Sequence, residues 1–343
     1  MDEMSILDRA EICYLLIFPD PAEKTSEPLQ PISGLKDAPY FQPVDIRVRT
    51  LGQVEVQAGG VQVSVLRQRY DDRIQILDCR FQLSDALSLK AIQQREVIEK
   101  NLRERFLPAE HLNSGMFEEY VVLLLVNAKP TPDKFIEKNS AGLARFMRSQ
   151  REVFDPREIE DILLSRVRYS NMELTLVDWD GAVIIAPNGD FQSDIELLKI
   201  GNYQLLRYRM LDQSIETMLD KISKTFFENK RRPRPTRGMI RQIAEHKLDV
   251  MLGFERAEQN MLLIGDWYTA KLYGVIHDEF YLTDWKENVK NKLDNLENIM
   301  GTIKDNFSLS LESVWAKIEM LAWALMLIGY MYLTFVDLGL IKK

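Results

Sequence analysis

The hydrophobic rhythm of the chain passes through three regimes. Between Ile46 and Leu83, apolar and polar residues alternate, with Val54 and Val56, Val61, Val63 and Val65, and Ile74 and Ile76 two apart. A two-residue period puts every second side chain on one face of a strand. Gly59-Gly60 and Asp71-Asp72 interrupt the run where a chain reverses tightly, so the pattern predicts an antiparallel meander. Upstream, the apolar run Ile12–Phe18 has the length of a strand, and Pro21, Pro28, Pro31 and Pro43 make residues 20–43 a loop. Ser84 can cap a helix over about 85–106. "EEYVVLLLVNAK" (118–129) is continuously apolar after its first residues, which predicts a central strand covered on both faces. Pro132 suits the first turn of a helix reaching about Ser149, and a short helix follows near 156–165. "NMELTLVDWDGAVIIAPNGDF" reads as a hairpin turning at Asp180-Gly181, with a second turn at Asn188-Gly189. Residues 1–192 therefore predict an α+β domain, an antiparallel sheet with flanking helices.

From Ser193 the period lengthens. Leu198, Leu205, Leu211, Ile215, Met218, Ile222 and Phe226 recur at helical spacing, the stripe of one long helix to about Asn229. Pro233 and Pro235 break it within "NKRRPRPTRG" (229–238). Helices are expected again from Thr236 to about Arg256 and from about 258 to 280. Val289, Leu293, Leu296, Met300, Ile303, Phe307 and Val314 then alternate in four- and three-residue steps, with Lys286 and Ser310 as exceptions. That is a coiled-coil seam over 282–318, within or between chains. Residues 193–319 thus form a helical stalk.

In the third regime the seam disappears and apolar residues cover every side. "MLAWALMLIGYMYLTFV", Met320–Val336, holds no charge. With Asp337 near an interface the stretch continues to Ile341, about 33 Å at the helical rise, long enough for a transmembrane helix over 320–341. Trp323 toward one end, and Tyr330 and Tyr332 toward the other, suit interfacial anchoring. A helix buried in a core is the competing reading, but a core helix ordinarily keeps one polar face. Lys317 lies before the stretch and Lys342 and Lys343 after it, so flanking charge sets no orientation.

Composition narrows the function classes. Net charge is −8, so the molecule as a whole does not attract nucleic acid, and any anion contact has to be local. The one local asymmetry is Lys230, Arg231, Arg232, Arg234 and Arg237. It can meet anionic lipid or ribosomal RNA, but without interleaved aromatic residues it does not read base sequence. Cys13 and Cys79 form no zinc or disulfide spacing. His111, His246 and His277 are scattered, and no phosphate-loop, dinucleotide or nucleophile-elbow motif occurs. Asp178 and Asp180, two apart in "VDWDG", would share one face of a strand and could chelate a hard cation, the basis of a metal-dependent enzyme reading. Turn residues at a hairpin end explain the same pair. No catalytic residues and no cofactor are predicted. An acidic start, with Asp2, Glu3, Asp8 and Glu11, fits neither a secretory signal nor a mitochondrial transit peptide.

"DWYTAKLYGVIHDEFYLTDWKENVKNKLDNLENI", followed by "KIEMLAWALMLIGYMYL", resembles the required-for-meiotic-nuclear-division family and bacterial membrane proteins of the same layout. The matching positions are Leu272 and Tyr273, Lys292 and Leu293, and Ile318 and Glu319. Lys290 stands where the family has Asn, and Met320 where it has Trp. The likeness spans about residues 118–338. It implies an α+β domain, a helical stalk and one terminal membrane helix; family members in eukaryotes are mitochondrial, oligomeric and tied to organellar translation. The acidic start favours a bacterial protein instead. The expectation is a tail-anchored scaffold or tether, single-pass in the bacterial inner membrane with its bulk cytoplasmic. Its partners would be the lipid membrane, a second copy of itself and a protein or the ribosome. A large soluble part before a short apolar end is also similar in layout to magnesium transporters with a Gly-Met-Asn signature. That makes an ion transporter or channel the alternative, although Gly329 and Met331 here have no such Asn.

Overall fold

This computed structural model describes residues 7, 10–20, 30–31, 46–126, 128–226, 238, 241, 244–245, 248, 251–252 and 267–337; within these the side chains of 30–31, 225–226, 303–315 and 335–337 are not described. The strands are β1 (Glu11–Pro19), β2 (Gln30–Pro31), β3 (Arg47–Ala58), β4 (Val61–Tyr70), β5 (Ile74–Gln82), β6 (Glu118–Leu125), β7 (Arg166–Val167), β8 (Leu174–Val177) and β9 (Gly181–Ile185). The helices are α1 (Leu89–Phe106), α2 (Ala109–Ser114), α3 (Pro132–Met147), α4 (Pro156–Ile162), α5 (Gln192–Phe226), α6 (Trp267–Glu279) and α7 (Leu282–Asp337). By compactness the chain divides into one unit of Met1–Ser214 with Asp249–Val289 and another of Ile215–Leu248 with Lys290–Lys343.

In the first unit the strands form one sheet in the order β2-β3-β4-β5-β1-β6-β9-β8-β7. The meander is as expected, and its turns form where the backbone enters the left-handed region, at Gly59 (φ 56) and Gly60 (φ 79), and at Asp71 (φ 50) and Asp72 (φ 53). Glycine adopts that conformation freely and aspartate tolerates it. The sheet is mixed, however, and not purely antiparallel. β6 pairs with β9 in parallel, Val121 opposite Gly181 and Leu125 opposite Ile185. The chain leaves the end of β6, passes through α3, α4, β7 and β8, and returns to the end at which β6 began. A parallel pair requires such a crossover. The first helix starts at Leu89, not near 85, because Ser88 is the residue whose hydroxyl accepts the Ala91 N–H (3.2 Å). α3 opens on Pro132 after the Thr131 cap, and α4 on Pro156 after Asp155.

β1 is the spine of the sheet. It lies between β5 and β6, and both its faces are buried from Ile12 to Phe18. Ile12, Tyr14, Leu16 and Phe18 join Val121, Leu123 and Leu125 of β6 in a core with α1 and α3. The opposite face carries α5. Residues 193–208 of that helix are buried throughout, because the sheet covers one side and α6 the other. Gly201 lets α6 approach: a Cβ there would stand 2.5 Å from Ile276 Cγ2. Burial on all sides brings polar groups inside, and a charged cluster among them is paired. Lys199 donates to Asp78 (2.9 Å), Glu196 (2.9 Å) and Gln68 (3.1 Å), and Tyr70 donates to Glu196 (3.1 Å). Arg80 holds Asp78 from its other side (3.0 Å). Burial alone would push the Asp78 carboxyl up; Lys199 and Arg80 outweigh it and hold it well below the usual range.

In the second unit, Ile215, Met218 and Ile222 of α5 are buried, as are Leu293 and Leu296 of α7, and Lys292 reaches Glu216 (2.7 Å). These turns of α5 and α7 belong to one compact unit and are joined by that ion pair, while a coiled coil is not shown. The described residues between 238 and 252 are helical. α7 is one continuous helix that includes Ala316–Thr334, 19 residues with mean hydropathy 1.3, none buried. It is long and apolar enough to cross a membrane.

Candidate functional site

A cavity of about 270 Å³ opens on the α1 side of the sheet. Five segments of the chain build it. β1 contributes Tyr14, and β6 contributes Glu119 and Val121, whose side chains share the Tyr14 face because Tyr14 stands opposite Val121. α1 contributes Glu99 and Arg103, one turn apart. Ser149, after α3, and Asp180, in the β8–β9 loop, close the rim. Ser149 is held in the left-handed region (φ 51), its N–H on the Phe146 carbonyl (3.3 Å).

The charges in this wall are arranged in pairs. Arg95 is fully buried behind the cavity; it reaches Glu99 (3.0 Å), donates to the Phe146 carbonyl (3.0 Å) and the Ser149 hydroxyl (2.6 Å), and lies over the Phe146 ring. Arg103 and the Tyr14 hydroxyl both donate to Glu119. Burial pushes the Glu99 carboxyl up to about 7, against the pull of Arg95. Burial also raises Asp180, against Arg148, and pushes the Tyr14 hydroxyl well above its ordinary value. Such a wall offers hydrogen-bond acceptors on several sides, one guanidinium and a carboxyl able to hold or release a proton near neutral pH.

The expected chelating pair is corrected here. Asp178 and Asp180 do not share a strand face, because β8 ends at Val177 and both lie in the loop before Gly181. Asp178 is 3% exposed and answered by Arg148 (2.6 Å), and burial raises its carboxyl to about 6 against that partner. Asp180 lines the cavity instead. Among the described residues no three His, Cys, Asp or Glu groups are placed to hold a metal ion.

Other expected positions are dispersed. Lys230, Arg231, Arg232, Arg234 and Arg237 lie outside the described residues, as do the side chains of Ile303 and Phe307. Val289, Leu293 and Leu296 are buried and Met300 is half-buried. Trp323, Tyr330 and Tyr332 are exposed on α7. Sequence reading missed Tyr14, Glu99, Arg103, Glu119 and Ser149. A signal did exist for α1: Arg95, Glu99 and Arg103 recur every four residues, a charged stripe on a helix that also has to face a core.

The family described as "Uncharacterized protein MJ0711, N-terminal domain" matches residues 29–192, a stretch that ends where α5 begins. The chain is 24% identical over 208 residues to "Uncharacterized protein MJ0711" of Methanocaldococcus jannaschii, a match covering 61% of this chain and 64% of that relative's length. No solved structure matches.

Proposed function

We propose that the protein is a single-pass membrane scaffold, with α7 crossing the bilayer at residues 316–334 and the α+β unit held at the membrane surface for a partner. The supporting observation is the exposure of that stretch. Met320, Leu321, Leu325, Leu327, Ile328 and Leu333 are 59–68% exposed. In water this would be a large unpartnered apolar surface, whereas in lipid it is already in the right solvent. Its length at the helical rise is about 28 Å, close to the hydrocarbon thickness of a bilayer. The basic residues from Lys230 to Arg237 add attraction to anionic headgroups, about 1 kcal/mol each near the surface. The likeness to the meiotic-nuclear-division family supports the same layout.

Membrane fractionation with alkaline carbonate tests this. The full-length chain should resist extraction, and a form ending at Glu319 should be soluble. Recovery of the full-length chain in the soluble fraction would overturn the reading.

A further inference from the structure

We infer that the charged side chains between α5 and the sheet are a register key: they set the axial position of α5 on β4 and β5 by penalising displaced positions, without being a source of net stability. This inference is independent of whether α7 enters a bilayer.

The side chains that α5 sends to β4, β5 and the turn between them form a polar stripe. Glu196, Lys199, Tyr203 and Arg207 recur at three- and four-residue steps, so they share one face of the helix. Each meets its own part of the sheet. Glu196 accepts from Tyr70 (3.1 Å), and Lys199 reaches Asp78 (2.9 Å) and Gln68 (3.1 Å). Tyr203 donates to Asp71, and Arg207 stands 3.8 Å from the same carboxylate. Lys199, Asp78 and Glu196 are each no more than 2% exposed, which leaves water little room to replace a lost partner. Withdrawing two such charges from water costs about as much as their attraction returns, whereas removing one partner leaves the other buried and unanswered. Apolar side chains of similar volume would bury the same surface with no directional demand.

The discrimination follows from displacing α5 by one turn, four residues or about 6 Å at the helical rise. Moved one way, Tyr203 takes the place of Lys199 and Ile200 that of Glu196. Moved the other way, Ile195 and Gln192 take those places. In either position Asp78 exchanges an ammonium for a neutral side chain and keeps Arg80 as its cation, while Tyr70 loses its carboxylate. Of the three positions, the observed one pairs all four groups. The close fit at Gly201 reads α6 on the other side of the helix, so it does not by itself set α5 against the sheet.

The test compares a broken network with an apolar one in the full-length protein in detergent micelles. Nitroxide labels go on Gln62→Cys in β4 and Gln213→Cys in α5, both exposed, while Cys13 and Cys79 are buried. Double electron–electron resonance reads the distance between labels, and circular dichroism reads the thermal midpoint. With the network intact the distance should form one narrow population. Lys199→Met, which strands Asp78, should lower the midpoint by about 10 °C. Combining it with Tyr70→Phe, Asp78→Leu and Glu196→Leu should recover at least half of that loss. The combined variant should also show a second distance population, displaced by up to about 6 Å. Should it fail to fold, Asp78→Leu with Lys199→Met carries the same expectations, because Glu196 then keeps Tyr70 and Gln192 (2.9 Å). A folded apolar variant with only the wild-type distance overturns the inference and assigns the register to the fit of Gly201 against α6. Failure of both apolar variants to recover stability also overturns it, since the network would then be a source of stability.

Discussion

Glu99 stands where two effects oppose each other. Burial makes the charged carboxylate expensive, Arg95 makes it cheaper, and burial wins, leaving the group up to about 7 against an ordinary 4.5. A carboxyl raised in the folded state binds its proton more tightly there than in the unfolded chain. Its contribution to stability is therefore full below the unfolded value and is lost as pH rises through about 7. Replacing Glu99 by Gln should remove that slope. Wild type and Glu99→Gln should converge in thermal stability near pH 4 and separate toward pH 8, the variant gaining up to about 3 kcal/mol relative to wild type. Asp178 titrates in the same direction with a value of about 6 and is present in both proteins, so the difference between the two melting curves isolates Glu99. These residue-level features were poorly legible in the sequence. Tyr14 stands in an apolar run and Glu119 at the start of another, and only the pairing of β1 with β6 brings them to one face. Asp178 and Asp180 drew notice by spacing, yet the hairpin loop separates their roles.

At the scale of elements, the meander, the capped helices and the apolar central strand could be read from period and punctuation, because local chemistry determines them. The parallel β6–β9 pair could not, since nothing in either strand states which end of the partner it will meet. The burial of α5 is also a tertiary fact. Its sequence has an ordinary stripe, but sheet and α6 enclose it from both sides. Gly201 is the point where that enclosure is tightest. Gly201→Val should destabilise the protein by about 1–3 kcal/mol through overpacking against Ile276 and Phe280. The measurement is a lower thermal midpoint in detergent with unchanged far-ultraviolet dichroism at low temperature.

For the whole molecule, the decisive feature is the all-round apolar stretch of α7, and here sequence and structure agree on the element. The absence of charge from Met320 to Val336 was visible at once; that the described residues leave Ala316–Thr334 uncovered required the structure. Leu325 lies near its middle and is 64% exposed. A charge there should disfavour insertion by about 2.5–3.5 kcal/mol. Leu325→Arg should therefore shift the chain toward the carbonate-soluble fraction while the melting of the α+β unit stays as in wild type. Equal membrane retention of both forms would count against a span centred at this position.

The central place of β1 has a consequence for synthesis. Cys13 meets Asp78 of β5, 65 residues downstream, and Tyr14 meets Glu119 of β6, 105 residues downstream. At ~5–20 residues per second, this strand, apolar from Ile12 to Phe18, leaves the ribosome roughly 3–20 s before its two neighbours exist. During that interval it is an unpaired, sticky edge. The nascent chain is thus a natural client for a holding chaperone, and slowed elongation between these strands should raise aggregation without altering the finished fold.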